Sequence, residues 1–105
     1  MPVPPRSVRR VAASALERRR ERRKTTQRPG GTAVGVARAR DLAAGRDLPY
    51  RTLQRMRSYF ARHDTPEERA ARREDKMSPA AISWDLWGGN AGRRWVESQL
   101  KRRGL

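Results

Sequence analysis

The chain has 105 residues, with 26 Lys and Arg against 11 Asp and Glu, a net charge of +15 at neutral pH and no cysteine. That length leaves room for one domain with tails. The missing cysteines exclude disulfide staples and thiolate metal sites and fit a reducing compartment, His63 alone makes no metal cluster, and no apolar run is long enough to span a membrane.

The opening MPVPPRS is Pro-rich and predicts an extended lead-in. A helix is expected from Ser7, its cap, because Val8, Val11, Ala12, Ala15 and Leu16 recur at helical spacing. That apolar stripe is thin, and it dissolves after Leu16 into ERRRERRKTTQR, which has good helix formers but no face to bury. RPGG (28–31) predicts a turn and a hinge. Residues 1–29 are therefore expected to form a basic N-terminal arm, helical or partly disordered, and residues 30–105 a compact helical domain. The acid-poor N-terminus has the look of a mitochondrial presequence, but its basic run continues past the stripe and contains Glu17 and Glu21, so a cleaved presequence is not expected.

Thr32 predicts the cap of a helix to about Ala44, with Gly45 as its left-handed stop. Gly35, Ala33, Ala37 and Ala39 give that helix a small-residue face. Arg38 and Arg40 point about 200° apart on it, and Arg38 can pair with Asp41 one turn on. Pro49 is expected in the first turn of a helix reaching His63, with Leu53, Met56 and Phe60 inward and Arg51, Arg55 and Arg62 on another face. Thr65, Pro66 and Glu68 spell a capping box before a short solvated helix. Ser78-Pro79 starts a helix to Trp87, Gly88-Gly89 ends it, and Asn90 is read as the cap of a last helix to Arg103, stopped by Gly104. No alternating pattern predicts a strand. The expected fold class is all-α, a small bundle of about four to five short helices plus the arm.

Arginine dominates the cations: only Lys24, Lys76 and Lys101 are lysines. The guanidinium fork matches phosphate and stacks on bases, so a polyanion, most simply nucleic acid, is the natural partner. High-GC codon usage raises Arg over Lys but does not itself create net charge. Residues 1–28 hold ten basic and two acidic residues, residues 29–105 sixteen and nine, so the arm is the denser cation. The expected nucleic-acid contacts are Arg18, Arg19, Arg20, Arg22, Arg23 and Lys24 on the arm, and Arg51, Arg55, Arg93 and Arg94 on the body.

ISWDLWGGNAGRRW (82–95) holds all three tryptophans. A body this poor in large apolar side chains needs those rings inside, and Trp87, beside the glycines, is the one expected to be partly exposed. An exposed stacking platform for single strands is the alternative. The two helices flanking GGN also have helix-turn-helix spacing, although the ordinary αα-hairpin is commoner. Arg93 and Arg94 fall in the second helix's first turn, where a DNA reader touches its target and where the helix dipole disfavours cations. An external anion, or a carboxylate such as Asp85, is expected beside them. Catalysis is not expected. His63 and Asp64 are adjacent and do not face each other, and no phosphate loop, paired-acid motif or HExxH is present.

GGTAVGVARARDLAAGRDL (30–48), RMRSYFARHD (55–64) and SPAAISWDLWGGNAGRRW (78–95) together resemble a small domain recurring in proteins of tailed bacteriophages and prophages. There GTxVGVARAR, RMxSYFARH and PSxxxIAWxLWGGxAGRxW stretches follow in that order. Family members often carry a Gly-rich loop between the second and third stretches, where this chain has its charged capped helix, and this N-terminal arm is unusually Arg-rich. The resemblance implies a phage context and supplies no catalytic residue. The combined expectation is a phage accessory protein that binds nucleic acid, DNA ahead of RNA and largely independent of sequence, in the host cytoplasm at the nucleoid or in the virion. It needs no cofactor or metal and has no membrane partner. Two alternatives stand beside it: a virion structural protein of the inner capsid, connector or head, and a phage protein that docks on an acidic host nucleic-acid-processing enzyme.

Overall fold

The computed structural model describes residues 2–105. Among them are six helices and no strand: α1 (Arg6–Arg23), α2 (Ala33–Ala43), α3 (Tyr50–Arg62), α4 (Pro66–Glu74), α5 (Pro79–Leu86) and α6 (Gly89–Arg103). The protein is an all-α bundle.

Most boundaries follow from local chemistry. The hydroxyls of Thr32, Thr65 and Ser78 accept the amides of Gly35, Glu68 and Ala81 at 3.2, 3.1 and 3.1 Å, each satisfying an orphan donor of a first turn. Pro66 and Pro79 take first-turn positions whose N–H would be unpaired anyway. Gly45 and Gly104 stand at the ends of α2 and α6 with φ of +69° and +76°.

Four expected helix starts differ. Helix α1 starts at Arg6 behind Pro5, so Ser7 lies inside it and caps nothing. Pro49 stands just before α3, not in its first turn. The Thr65 box is half formed, because the Glu68 carboxylate turns to His63 Nδ1 at 3.1 Å. Asn90 is not the cap of α6. Left-handed Gly88 (φ +105°) opens that helix, and Asn90 Oδ1 accepts the indole N–H of Trp84 at 3.0 Å.

The division at residue 29 does not describe the packing. Val8, Ala12 and Ala15 are fully buried in the same core as Leu42, Leu53, Met56, Phe60 and Leu86, and α1 lies against α2, α5 and α6. Pro2 and Pro4 are buried too, and the Pro2 carbonyl accepts the Leu48 amide at 2.9 Å. The radius of gyration is 13.1 Å, the roughly 13 Å of a fully compact chain of this size. The apolar stripe of α1 is thin but sufficient, because two alanines let the helix approach its neighbours closely. Helix α4, with no buried residue, is the solvated one.

The tryptophans fill the interior. Tyr59 stacks on Trp87 at 4.5 Å between centroids, and Phe60 meets Trp84 edge-on at 4.9 Å. Trp84 and Trp87 are 3% and 8% exposed, and Trp95 is the half-buried ring in place of Trp87. Glycines make the α5–α6 corner possible: a Cβ on Gly92 would sit 2.9 Å from the Trp87 carbonyl oxygen.

Candidate nucleic-acid interface

Burying α1 turns its arginines in different directions. Arg18 is mostly buried; it bonds Asp85 Oδ2 at 2.6 Å and the Lys76 carbonyl at 2.7 Å. Arg19 donates to the Gly30 carbonyl at 2.9 Å, and Arg22 to the Met77 carbonyl at 3.1 Å. These three bind the chain to itself and hold α1 against the turn before α2 and the loop before α5. Arg20 and Lys24 are exposed and pair with Glu17 and Glu21 one turn back, at 2.8 and 3.2 Å. Of the expected arm contacts only Arg23 is exposed without an acidic partner among the described residues. Arg51, Arg55 and Arg94 share that state on the body. Arg93 does not: half-buried, it faces Asp64, with Nη1 3.5 Å from Oδ2. Asp85, the carboxylate expected beside Arg93 and Arg94, is bound by Arg18 instead.

The cations that converge are a different set. An open groove of about 640 Å³ runs between α1, α4, α5 and α6. Helix α1 supplies Arg10 and Arg18, α4 supplies Arg69, Arg72 and Arg73, Lys76 follows α4, and Arg93 comes from α6. Only two carboxylates, Asp64 and Asp85, line it, so seven cations face two anions. Arg10, Arg73 and Lys76 are exposed, with no acidic partner among the described residues. Of the ten expected contacts only Arg18 and Arg93 reach this groove. A second hollow of about 420 Å³ holds Arg19 and Arg23 against Thr26, Gln27 and Pro29.

Side-chain contacts join the residues of the groove floor. Trp84 is fixed by its bond to Asn90, and Arg72 lies over its ring. Asp64 accepts from Arg69 Nη1 at 2.7 Å, with Arg72 Nη2 3.9 Å away. The Arg69 hydrogen bond, then the charges of Arg69, Arg93 and Arg72, hold the Asp64 carboxyl below its ordinary pKa against a desolvation that would raise it. The α4 cations were legible: Arg69, Arg72 and Arg73 recur at i, i+3 and i+4, which places them on one face of EERAARRE. A helix whose residues are almost all polar or alanine reads as plain solvated surface, and only the fold shows that this face lines a groove.

Chemistry of another kind gains little support. Ser83 Oγ pairs with Tyr59 Oη at 2.7 Å, but burial pushes that phenol up to about 12, the Ser83 bond offsetting part of the rise, so it is no base at neutral pH. His63 pairs with Glu68, not with its neighbour Asp64. Among the described residues no group of three or more His, Cys, Asp or Glu is placed to hold a metal ion, and no helix is long and apolar enough to cross a membrane. No protein-family model, curated protein or solved structure matches the chain.

Proposed function

We propose that this protein is a bacteriophage accessory protein that binds nucleic acid, DNA ahead of RNA, through its phosphate backbone and largely without regard to sequence. One observation carries the reading: a groove built from four helices in which seven Lys and Arg side chains face two carboxylates. Three of those cations are exposed with no acidic partner among the described residues, on a chain of net charge +15. Cations so arranged release counterions when they meet phosphates, which supplies affinity without base readout. The buried tryptophans favour backbone contact over base stacking, because Trp84 and Trp87 present almost no surface to an incoming base. The phage context rests on the three motif stretches alone.

Binding to a short labelled duplex, followed by anisotropy, tests the reading. Affinity should fall by orders of magnitude between about 50 and 200 mM salt, as six to ten phosphate contacts require. Equal affinity at both salts overturns it. A pull-down from nuclease-treated host lysate separates the rivals: capture of an acidic protein that survives nuclease favours a protein partner over nucleic acid.

A further inference from the structure

Asp64, at the corner between α3 and α4, has three guanidinium groups turned toward it. Arg69 bonds it at 2.7 Å, but Arg93 stands at 3.5 Å and Arg72 at 3.9 Å. Charge-assisted N–H···O bonds close at about 2.7–2.9 Å, so this carboxylate engages one arginine closely and leaves two with unused donors. Those two come from different helices, α4 and α6. Arg72 is also held in place from behind, by the Trp84 ring at 3.8 Å and the His63 carbonyl at 3.1 Å. A planar carboxylate with two oxygens underfills this arrangement, whereas a tetrahedral anion presents oxygens in more directions. The Asp64 side chain is 34% exposed and lies on the open groove.

We infer that this corner is a phosphate subsite for a nucleic-acid backbone, occupied at rest by Asp64, which an incoming phosphate displaces. The inference rests on the nucleic-acid reading above. Arg69, Arg72 and Arg93 bind the phosphate oxygens, and Asp64 tunes the site by competing for the same donors and repelling the ligand. The carboxylate therefore weakens binding, the opposite of what a residue of the contact surface does.

Duplex DNA and inorganic phosphate are the probes. Asp64→Asn should bind duplex DNA about tenfold more tightly than wild type, with the slope of log affinity against log salt steeper by about 0.9, one further phosphate contact. Glu97→Gln, the same charge change on the exposed surface of α6, controls for net charge and should gain no more than about threefold. Adding Arg93→Gln to Asp64→Asn should erase the gain. Equal gains from Asp64→Asn and Glu97→Gln, or a gain that survives the loss of Arg93, overturn the subsite while wild-type binding leaves the nucleic-acid reading standing. Wild-type chain that shows no salt-dependent binding overturns both. If Asp64→Asn does not fold, Arg93→Gln decides: a loss well beyond that of Arg94→Gln supports the subsite, and an equal loss overturns it. Tight uptake of inorganic phosphate by Asp64→Asn with no gain toward DNA overturns the backbone assignment in favour of a free phosphate.

Discussion

The Arg72 guanidinium lies 3.8 Å from the centre of the Trp84 ring, joining the helix that has no buried residue to the aromatic core. Burial lowers the Arg72 pKa from its ordinary value, with Asp64 and Glu68 opposing, yet a guanidinium remains charged in proteins. Arg72→Ala should lower stability by about 1–2 kcal/mol, the range of a partly desolvated cation–π pair, read from urea unfolding. Arg72→Lys keeps the charge but not the stacking plane, and should recover only part of the loss.

Arg18 and Arg73 should separate stability from binding. Arg18 is clamped between Asp85 and the Lys76 carbonyl, so Arg18→Ala should cost about 1.5–3 kcal/mol, the range for hydrogen bonds to charged groups. Arg73 is exposed on the groove, and its loss should leave stability within about 0.5 kcal/mol while reducing the salt slope of DNA binding by about one. Thermal melts and a salt titration of both variants check this. A stable Arg18→Ala with weakened binding would reverse the assignment.

Gly92→Ala should destabilise the fold by about 1–3 kcal/mol, the cost of overpacking, even though alanine is the better helix former by about 1 kcal/mol. The added methyl would sit 2.9 Å from the Trp87 carbonyl oxygen and force the α5–α6 corner open. Denaturant unfolding monitored by tryptophan fluorescence measures the cost directly.

Asp64 and Tyr59 make stability depend on pH in opposite senses. The folded-state pKa of Asp64 lies below its ordinary value of 3.8. Its stabilising contribution is therefore complete above that value and is lost as pH falls through the lower folded one. Asp64→Asn should flatten this acid limb. Tyr59 is raised from 10.0 to about 12, chiefly by burial. The unfolded chain thus ionises it first, and stability present below pH 10 is lost as pH rises toward 12. In a Tyr50→Phe chain the phenolate absorbance should have a midpoint near 12, and Tyr59→Phe should flatten the alkaline limb.

Much of the helix pattern was legible because its signals are local. Thr32, Thr65 and Ser78 cap as their spacing predicts, since a hydroxyl reaches an amide three residues on whatever the rest of the chain does. Asn90 misled for the same reason read in reverse. It has a good cap side chain, but the buried Trp84 N–H needed an acceptor more, and that need is visible only once α5 and α6 are folded together.

By itself, then, the sequence determined the helices, the aromatic interior and the cationic character, all properties of composition and short spacing. Tertiary structure alone decided which cations are tied to the chain itself and which line a common groove. It drew α1 into the core and committed Arg18, Arg19 and Arg22 to the chain's own acceptors. It also set Arg10, Arg69, Arg72, Arg73 and Lys76 around one groove. An arginine's charge is written in its codon, but its freedom to meet a phosphate depends on whether a carboxylate or carbonyl distant in sequence reaches it first: Arg18 and Asp85 stand 67 residues apart and 2.6 Å from each other.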